Sequence, residues 1–392
     1  MTTATTSLAA LVRPGMRVAV GDGAGAPRSV SKELSAAAAA HGDVSLLLGW
    51  LPTPDDDLDV GAFADVRAFM GGWGLRAPID AGAVHALPVR LGATPALLHG
   101  PLRPDLLVAS VVAGPDGVRF GSEVAWMRAV VDAGVPVAAV LAPHHPAADA
   151  GPPLPAEQVT VVGASDAAPV DVVTTGISDT YRAIATLTAH WVSAGARLQV
   201  GPGPLGAAVT AAVEVPVHID AGMLIDGVVG LDERGLLLGT PIAAYLSGTQ
   251  RLYDWADGRP VLHPVGVTHD LGRLAGPGLI SVNTALEIDL TGAVNVEGTP
   301  RGLIGGIGGH ADYATAAARS VGGLSIIATA SMHADVPTLV RRLSHPVTTP
   351  GHDVDVVITE RGCADLRGLD RAERARALLS LWDGAVREEE RG

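Results

Sequence analysis

Two stretches decide how this chain folds: RVAVGDGAGAP at residues 17–27 and RLQVGPGPLGA at residues 197–207. Each begins with a short apolar run rich in β-branched residues, passes through a glycine-rich turn and enters an Ala-rich stretch. That order reads as strand, loop, helix, the opening of an α/β unit with a mainly parallel sheet. The loose likeness between the two openings implies two related α/β halves. In such folds ligands sit where the C-terminal ends of strands meet, so a cleft between the halves is the expected active site.

The same alternation continues outward from both openings. Residues 27–40 read as a helix, 44–48 and 105–112 as strands, 122–133 as a helix and 135–141 as a buried strand. The Pro/Ala/Gly-rich stretch 144–168 lacks periodicity and marks the boundary region. Two domains follow, residues 1–175 and 176–392. In the second, Ser178-Asp179 can cap a helix running to Gly195. Further strands are expected at 197–200, 261–265, 279–282, 325–328 and 354–358.

Bulk composition agrees with this reading. The chain has 392 residues, 48% of them hydrophobic but only 3% aromatic, so its cores must be built from Ala, Val, Leu and Ile. That suits parallel sheets buried on both faces. A net charge of −14 argues against nucleic acid as a partner, since phosphate binding needs clustered Lys and Arg. The single cysteine, Cys363, excludes an intrachain disulfide and a cysteine-based metal cluster. No apolar run reaches the roughly 18 residues of a membrane span, and the first residues lack the pattern of a signal peptide. The expectation is a soluble, cytoplasmic protein with no membrane association, no cofactor and no metal. His144-His145 could suggest zinc, but adjacent histidines point apart and no third ligand is evident.

Several segments in order along the chain resemble the acetyl-CoA hydrolase/CoA-transferase family, of the 4-hydroxybutyrate CoA-transferase type. They are VRPGMRVAVGDGAGAP (12–27), RLQVGPGPLGAAV (197–209), MLIDGVVGL (223–231), LISVNTALEIDLTGAVNVEG (279–298), GLIGGIGGHADY (302–313) and VTTPGHDVDVVITERGCADLRG (347–368). The resemblance implies the CoA-transferase superfamily fold, an α/β architecture of two similar open, mainly parallel domains with an interdomain active-site cleft. It further implies acyl-CoA thioesters as substrates, with coenzyme A entering as part of the substrate, and a homodimer.

The chain departs from that family where its chemistry resides. The family's active-site string is roughly H-[ST]-E-M-x-x-D-G, and its glutamate attacks the thioester to give a covalent acyl-enzyme. Anchored on Met223 and Asp226-Gly227, this chain has Asp220, Ala221 and Gly222 at those three positions. Glycine can neither attack a thioester nor carry CoA. His310 stands where related sequences often carry Gln, and LAPHHPA (141–147) replaces a polar run.

Three side chains are candidates for the catalytic work. Asp220 lies two residues from Gly222, roughly 6.5 to 7 Å away if the segment is extended, and could act as base or surrogate nucleophile; alternatively it is an ordinary loop aspartate. His310 could serve as general base at neutral pH, or only hydrogen-bond near its loop. Glu123 is the third, placed in the first turn of the expected 122–133 helix, where the helix dipole favours an acid in any case. Gly201, Gly203, Gly306, Gly308 and Gly309 could bring backbone N–H groups to CoA or to a thioester oxyanion. His218, between Val217 and Ile219, reads as a partly buried strand residue.

These features favour thioester hydrolysis, or acyl transfer to a non-carboxylate acceptor, without a glutamyl–CoA intermediate. Alternatives are a CoA-transferase with a surrogate nucleophile, a C–C hydrolase or isomerase acting on a CoA-linked intermediate, and a non-catalytic homologue.

Overall fold

In a computed structural model that describes residues 6–386, the chain forms two compact units. Unit 1 comprises residues up to Val172 together with Ala243–Val267, and unit 2 comprises Val173–Ile242 and residues from Thr268 onward.

The sheet of unit 1 has eight strands: β1 (Arg17–Val20), β2 (Ser45–Leu48), β3 (Asp65–Ala68), β4 (His85–Ala86), β5 (Leu106–Gly114), β6 (Gly117–Phe120), β7 (Val137–Leu141) and β8 (Val159–Ala164). Their order is β4-β3-β2-β1-β5-β7-β8, all parallel, with β6 added antiparallel to β5. Val18 on β1 pairs with Leu46 on one side and Leu106 on the other. The chain therefore leaves β1 in one direction and returns to its opposite side. This is a topological switch point, which opens a crevice at the strand's C-terminal end, where the loop 21–27 begins. Strands β1, β2, β5 and β7 are almost wholly buried, consistent with a core of small aliphatic side chains on both faces.

Unit 2 repeats the plan. Its six-stranded sheet runs His218–Ile219, Arg197–Val200, Leu279–Asn283, Leu324–Ala328, Val356–Thr359 and Gly362–Asp365. The first five are parallel and the last is antiparallel to its neighbour. Here the switch point flanks Arg197–Val200, and the glycine loop 201–203 follows it into a helix with proline in its first turn, Pro204–Ala212. Ser178 caps the helix Asp179–Ala189 by accepting a hydrogen bond from the Tyr181 amide.

The helix expected to run to Gly195 ends at Ala189, and three further departures from the sequence reading bear on the site. First, Ala243–Val267 groups with unit 1, so the second unit is not the continuous segment 176–392. The reason is visible in hydrogen bonding: the Ala150 amide donates to the Leu262 carbonyl, the Val124 amide to the Ala244 carbonyl, and the Tyr245 phenol to Asp22. Second, 261–265 is not a strand, because Leu262 and Pro264 make only isolated bridges. Third, the helix expected at 122–133 begins only at Met127. The preceding segment is held irregular, with Ala125 at φ +40° and Glu123 bridged to Tyr245.

A buried ion pair, Arg128 to Asp149 at 2.8 Å, fixes the corner where Asp149 bridges Leu262. Removing one partner leaves a buried uncompensated charge, which costs about 3–5 kcal/mol. Asp149→Ala should lower the denaturant midpoint by a corresponding amount with an unchanged slope. A midpoint within experimental error of the parent would contradict this role.

Candidate functional site

Unit 2 carries a site around the residue that the sequence singles out, Gly222. The segment before it is extended, its Asp220 amide donating to Leu198 and its Ala221 amide to Ile242. The resulting backbone path brings Gly222 under the imidazole of His269. A Cβ built on Gly222 would lie 3.3 Å from His269 Nε2, 3.4 Å from its Cε1 and 3.7 Å from Tyr313. Gly309 approaches the same ring more closely: a Cβ there would lie 2.4 Å from Nε2 and 3.2 Å from Tyr313. Both glycines border the ring. Any larger side chain at 309 must displace the imidazole, whereas a Cβ at 222 asks the ring to give by only a few tenths of an ångström.

His269 is 3% exposed and is fixed on three sides. Its Nδ1 lies 2.8 Å from Thr268 Oγ1, and the Tyr313 ring stands edge-on to it at 5.2 Å. The Tyr313 hydroxyl donates to the Thr268 carbonyl at 2.8 Å. Burial, and next the positive charge of Arg273, lower the His269 pKa to about 3, so its ring is neutral at physiological pH. Among the described residues Nε2 has no hydrogen-bond partner.

Asp220, the candidate base or surrogate nucleophile, is engaged by two guanidinium groups. It is 3% exposed and accepts four guanidinium hydrogen bonds: from Arg197 Nε (3.1 Å) and Nη2 (2.7 Å), and from Arg273 Nη1 (2.7 Å) and Nη2 (2.8 Å). Desolvation would raise its pKa, but the hydrogen bonds and charges of Arg273 and Arg197 outweigh it and hold the carboxyl below its ordinary range. It stays ionised and engaged. Arg273 connects this clamp to His269, whose neighbour Asp270 caps the short helix carrying Arg273.

His310 begins the helix His310–Arg319 directly after Gly309. Its Nε2 donates to the Thr284 carbonyl at 3.0 Å, since a carbonyl can only accept. Its Nδ1 is then left to accept from the Thr349 hydroxyl at 2.8 Å. Both nitrogens are occupied, and burial lowers the pKa to about 4. This is the arrangement of a loop-fixing side chain. Asp312, in the first turn of the same helix, is buried. Gly308 takes the left-handed conformation, φ +54°, and Gly306 lies in the same loop. Gly201 and Gly203 line the other glycine loop, where a built Cβ would meet no atom within 4 Å. His218 is exposed at the edge of the sheet rather than partly buried.

Unit 1 places Glu123 outside any helix, in a buried acidic cluster. Its carboxyl accepts from the Ser122 hydroxyl and the Gly25 amide. Burial raises its pKa to about 8, which keeps it protonated at neutral pH. Asp22, within Coulombic reach, accepts from the Trp50 amide, the Trp126 indole and the Tyr245 phenol, each at 2.9 Å. Burial raises its pKa to about 6, and its Oδ1 is buried without a partner. Beside the Gly25 loop a cavity of about 240 Å³ opens, lined among others by Arg28, Ser110 and His145. Burial lowers the His145 pKa to about 4. No group of three or more potential metal ligands occurs among the described residues, and no helix there is long and apolar enough to cross a membrane.

Sequence reasoning missed His269, Tyr313, Arg197, Arg273 and Asp22. Only the last carried a local signal, an acid between two glycines in the 21–23 loop. The others meet through contacts distant along the chain.

Residues 248–390 match the acetyl-CoA hydrolase/transferase C-terminal domain. The 4-hydroxybutyrate coenzyme A transferase of Clostridium kluyveri is 31% identical over 229 residues, 54% of this chain and 53% of that protein. The chain matches about half the length of this and two further curated relatives. Among solved structures, RipA from Yersinia pestis is similar with a TM-score of 0.84 at 24% identity, covering 94% of this chain and 91% of that one. The 4-hydroxybutyrate CoA-transferase from Porphyromonas gingivalis gives a TM-score of 0.78 at 24% identity, covering 96% and 93%. These two likenesses show the fold.

Glu123 provides a test of the unit 1 cluster. Between its ordinary pKa of 4.5 and about 8 the folded state holds a proton that the unfolded state has lost. Stability therefore falls as pH rises through that window, by at most about 1.4 kcal/mol per pH unit. Asp22 adds a drop of the same sign below about pH 6. Urea midpoints measured from pH 5 to pH 8 should decline in the parent. In Glu123→Gln the part of the decline above pH 6 should disappear.

Proposed function

We propose that the chain, whose residues 248–390 match the acetyl-CoA hydrolase/transferase C-terminal domain, acts on acyl-CoA thioesters without forming a glutamyl–CoA intermediate. The reaction is thioester hydrolysis or acyl transfer to a non-carboxylate acceptor. One observation carries this reading: at position 222, where the family resemblance puts the nucleophilic carboxylate, the chain has glycine, and the imidazole of His269 lies 3.3 Å from where a side chain would begin. A side chain at this position would start in tight contact with that ring.

The carboxylate nearest in sequence does not replace it. Asp220 is bound by two guanidinium groups through four charge-assisted hydrogen bonds. To attack a thioester it would have to break all four of these bonds to two partly buried guanidinium groups before any chemistry begins. A surrogate aspartyl nucleophile is therefore the weaker reading. The glycine loops remain suited to backbone contacts with the thioester oxygen, and Gly309 borders the same ring as Gly222.

Two measurements test the proposal together. Thiol release should be seen with at least one acyl-CoA in a panel of short, branched and aromatic acyl groups. Borohydride or hydroxylamine treatment of acyl-CoA-loaded protein should leave no modified carboxylate. Trapping a modified Asp220 would replace this reading with ping-pong transfer, and absence of both turnover and binding across the panel would reject acyl-CoA as substrate.

A further inference from the structure

The acyl-CoA reading leaves open which group activates the attacking water or alcohol, and the geometry assigns that role to His269. We propose that His269 Nε2 is the general base of the site, acting from its place beside Gly222 and Gly309. The inference rests on the acyl-CoA reading above.

Three observations converge on this atom. Nε2 lies where residue 222 would project a side chain, and it also borders Gly309 at the start of the helix His310–Arg319. The ring is held in a fixed orientation by Thr268 at Nδ1 and by the edge of Tyr313. The far nitrogen alone lacks a partner among the described residues. The other histidine in this part of the chain, His310, uses both of its nitrogens within the fold.

The chemistry balances without any further reagent. In the tautomer that donates Nδ1–H to Thr268, Nε2 presents its lone pair. As the oxygen of water or an alcohol bonds to the thioester carbonyl carbon, its O–H proton passes to Nε2. Collapse of the tetrahedral species breaks the C–S bond, and the imidazolium returns that proton to the departing CoA sulfur. The products are an acid or ester and free CoA, and the ring ends neutral.

His269→Asn keeps a polar group near Thr268 but removes the base, and His269→Ala opens room for an added base. With the acyl-CoA that the parent turns over, His269→Asn should lose about 10²- to 10⁴-fold in kcat. Its KM should stay within about threefold, as expected when only transition-state interaction is lost. Added imidazole should restore part of the His269→Ala rate, a response that a purely structural histidine would not give. Thermal melts of both variants establish that they fold. Parent turnover together with unchanged kcat in His269→Asn would overturn the assignment while leaving the acyl-CoA reading intact. A parent inactive toward the whole panel would overturn both.

Discussion

The candidate site depends on one buried carboxylate held between two guanidinium groups. Asp220 is fixed to the sheet through its own amide, and its side chain draws in Arg197 from the neighbouring strand and Arg273 from a short helix. At an effective dielectric near 20, each close pair contributes about 4 kcal/mol of Coulomb energy. Desolvation of three charges offsets much of that, so the arrangement does more for position than for net stability. Arg273 is four residues from His269, and Thr268 is held from the other side by the Tyr313 hydroxyl. With both ends of the Thr268–Arg273 stretch fastened, the imidazole has little freedom to leave the two glycines.

The same design explains why two residue types expected to do chemistry are occupied elsewhere. A carboxylate with four charge-assisted donors has both oxygens engaged and cannot turn to a substrate without breaking those bonds. A histidine with both nitrogens bonded cannot accept a proton without breaking one bond. Asp220 and His310 thus belong to the frame. In unit 1, Asp22 plays a comparable part, gathering Trp50, Trp126 and Tyr245 on a single oxygen. Tyr245 comes from the segment 243–267, so this acid helps explain why that segment folds with the first unit.

Most of the fold was legible because local pattern and tertiary fate agree. Apolar runs such as 17–20, 197–200 and 279–282 became strands with nearly the expected ends, since parallel strands buried on both faces require continuous aliphatic sequence. Residues 122–126 defied their helical pattern because Glu123 bridges Tyr245 and Ala125 adopts a positive φ. A contact so distant in sequence leaves no local periodicity. The site was half legible for the same reason. Gly222 could be read as the place of a missing nucleophile and Gly309 as part of a loop offering backbone amides, but the ring that both border could not. His269 sits in Val-Thr-His-Asp, a string with no metal, triad or glycine-loop spacing.

Gly222, His269 and Gly309 form one constraint, and this bears on how the absent carboxylate should be understood. Simple loss of a glutamate side chain leaves a void, and voids destabilise in proportion to their volume. Filling the space for stability alone calls for an apolar side chain that asks for no hydrogen bond. Here the space borders a ring whose inner nitrogen is engaged by Thr268 and whose outer nitrogen points toward the two glycines without a partner. Gly309 must stay small to admit that nitrogen. A site that had merely drifted would have no physical reason to keep that constraint. A site arranged to meet a polar group brought by a ligand would.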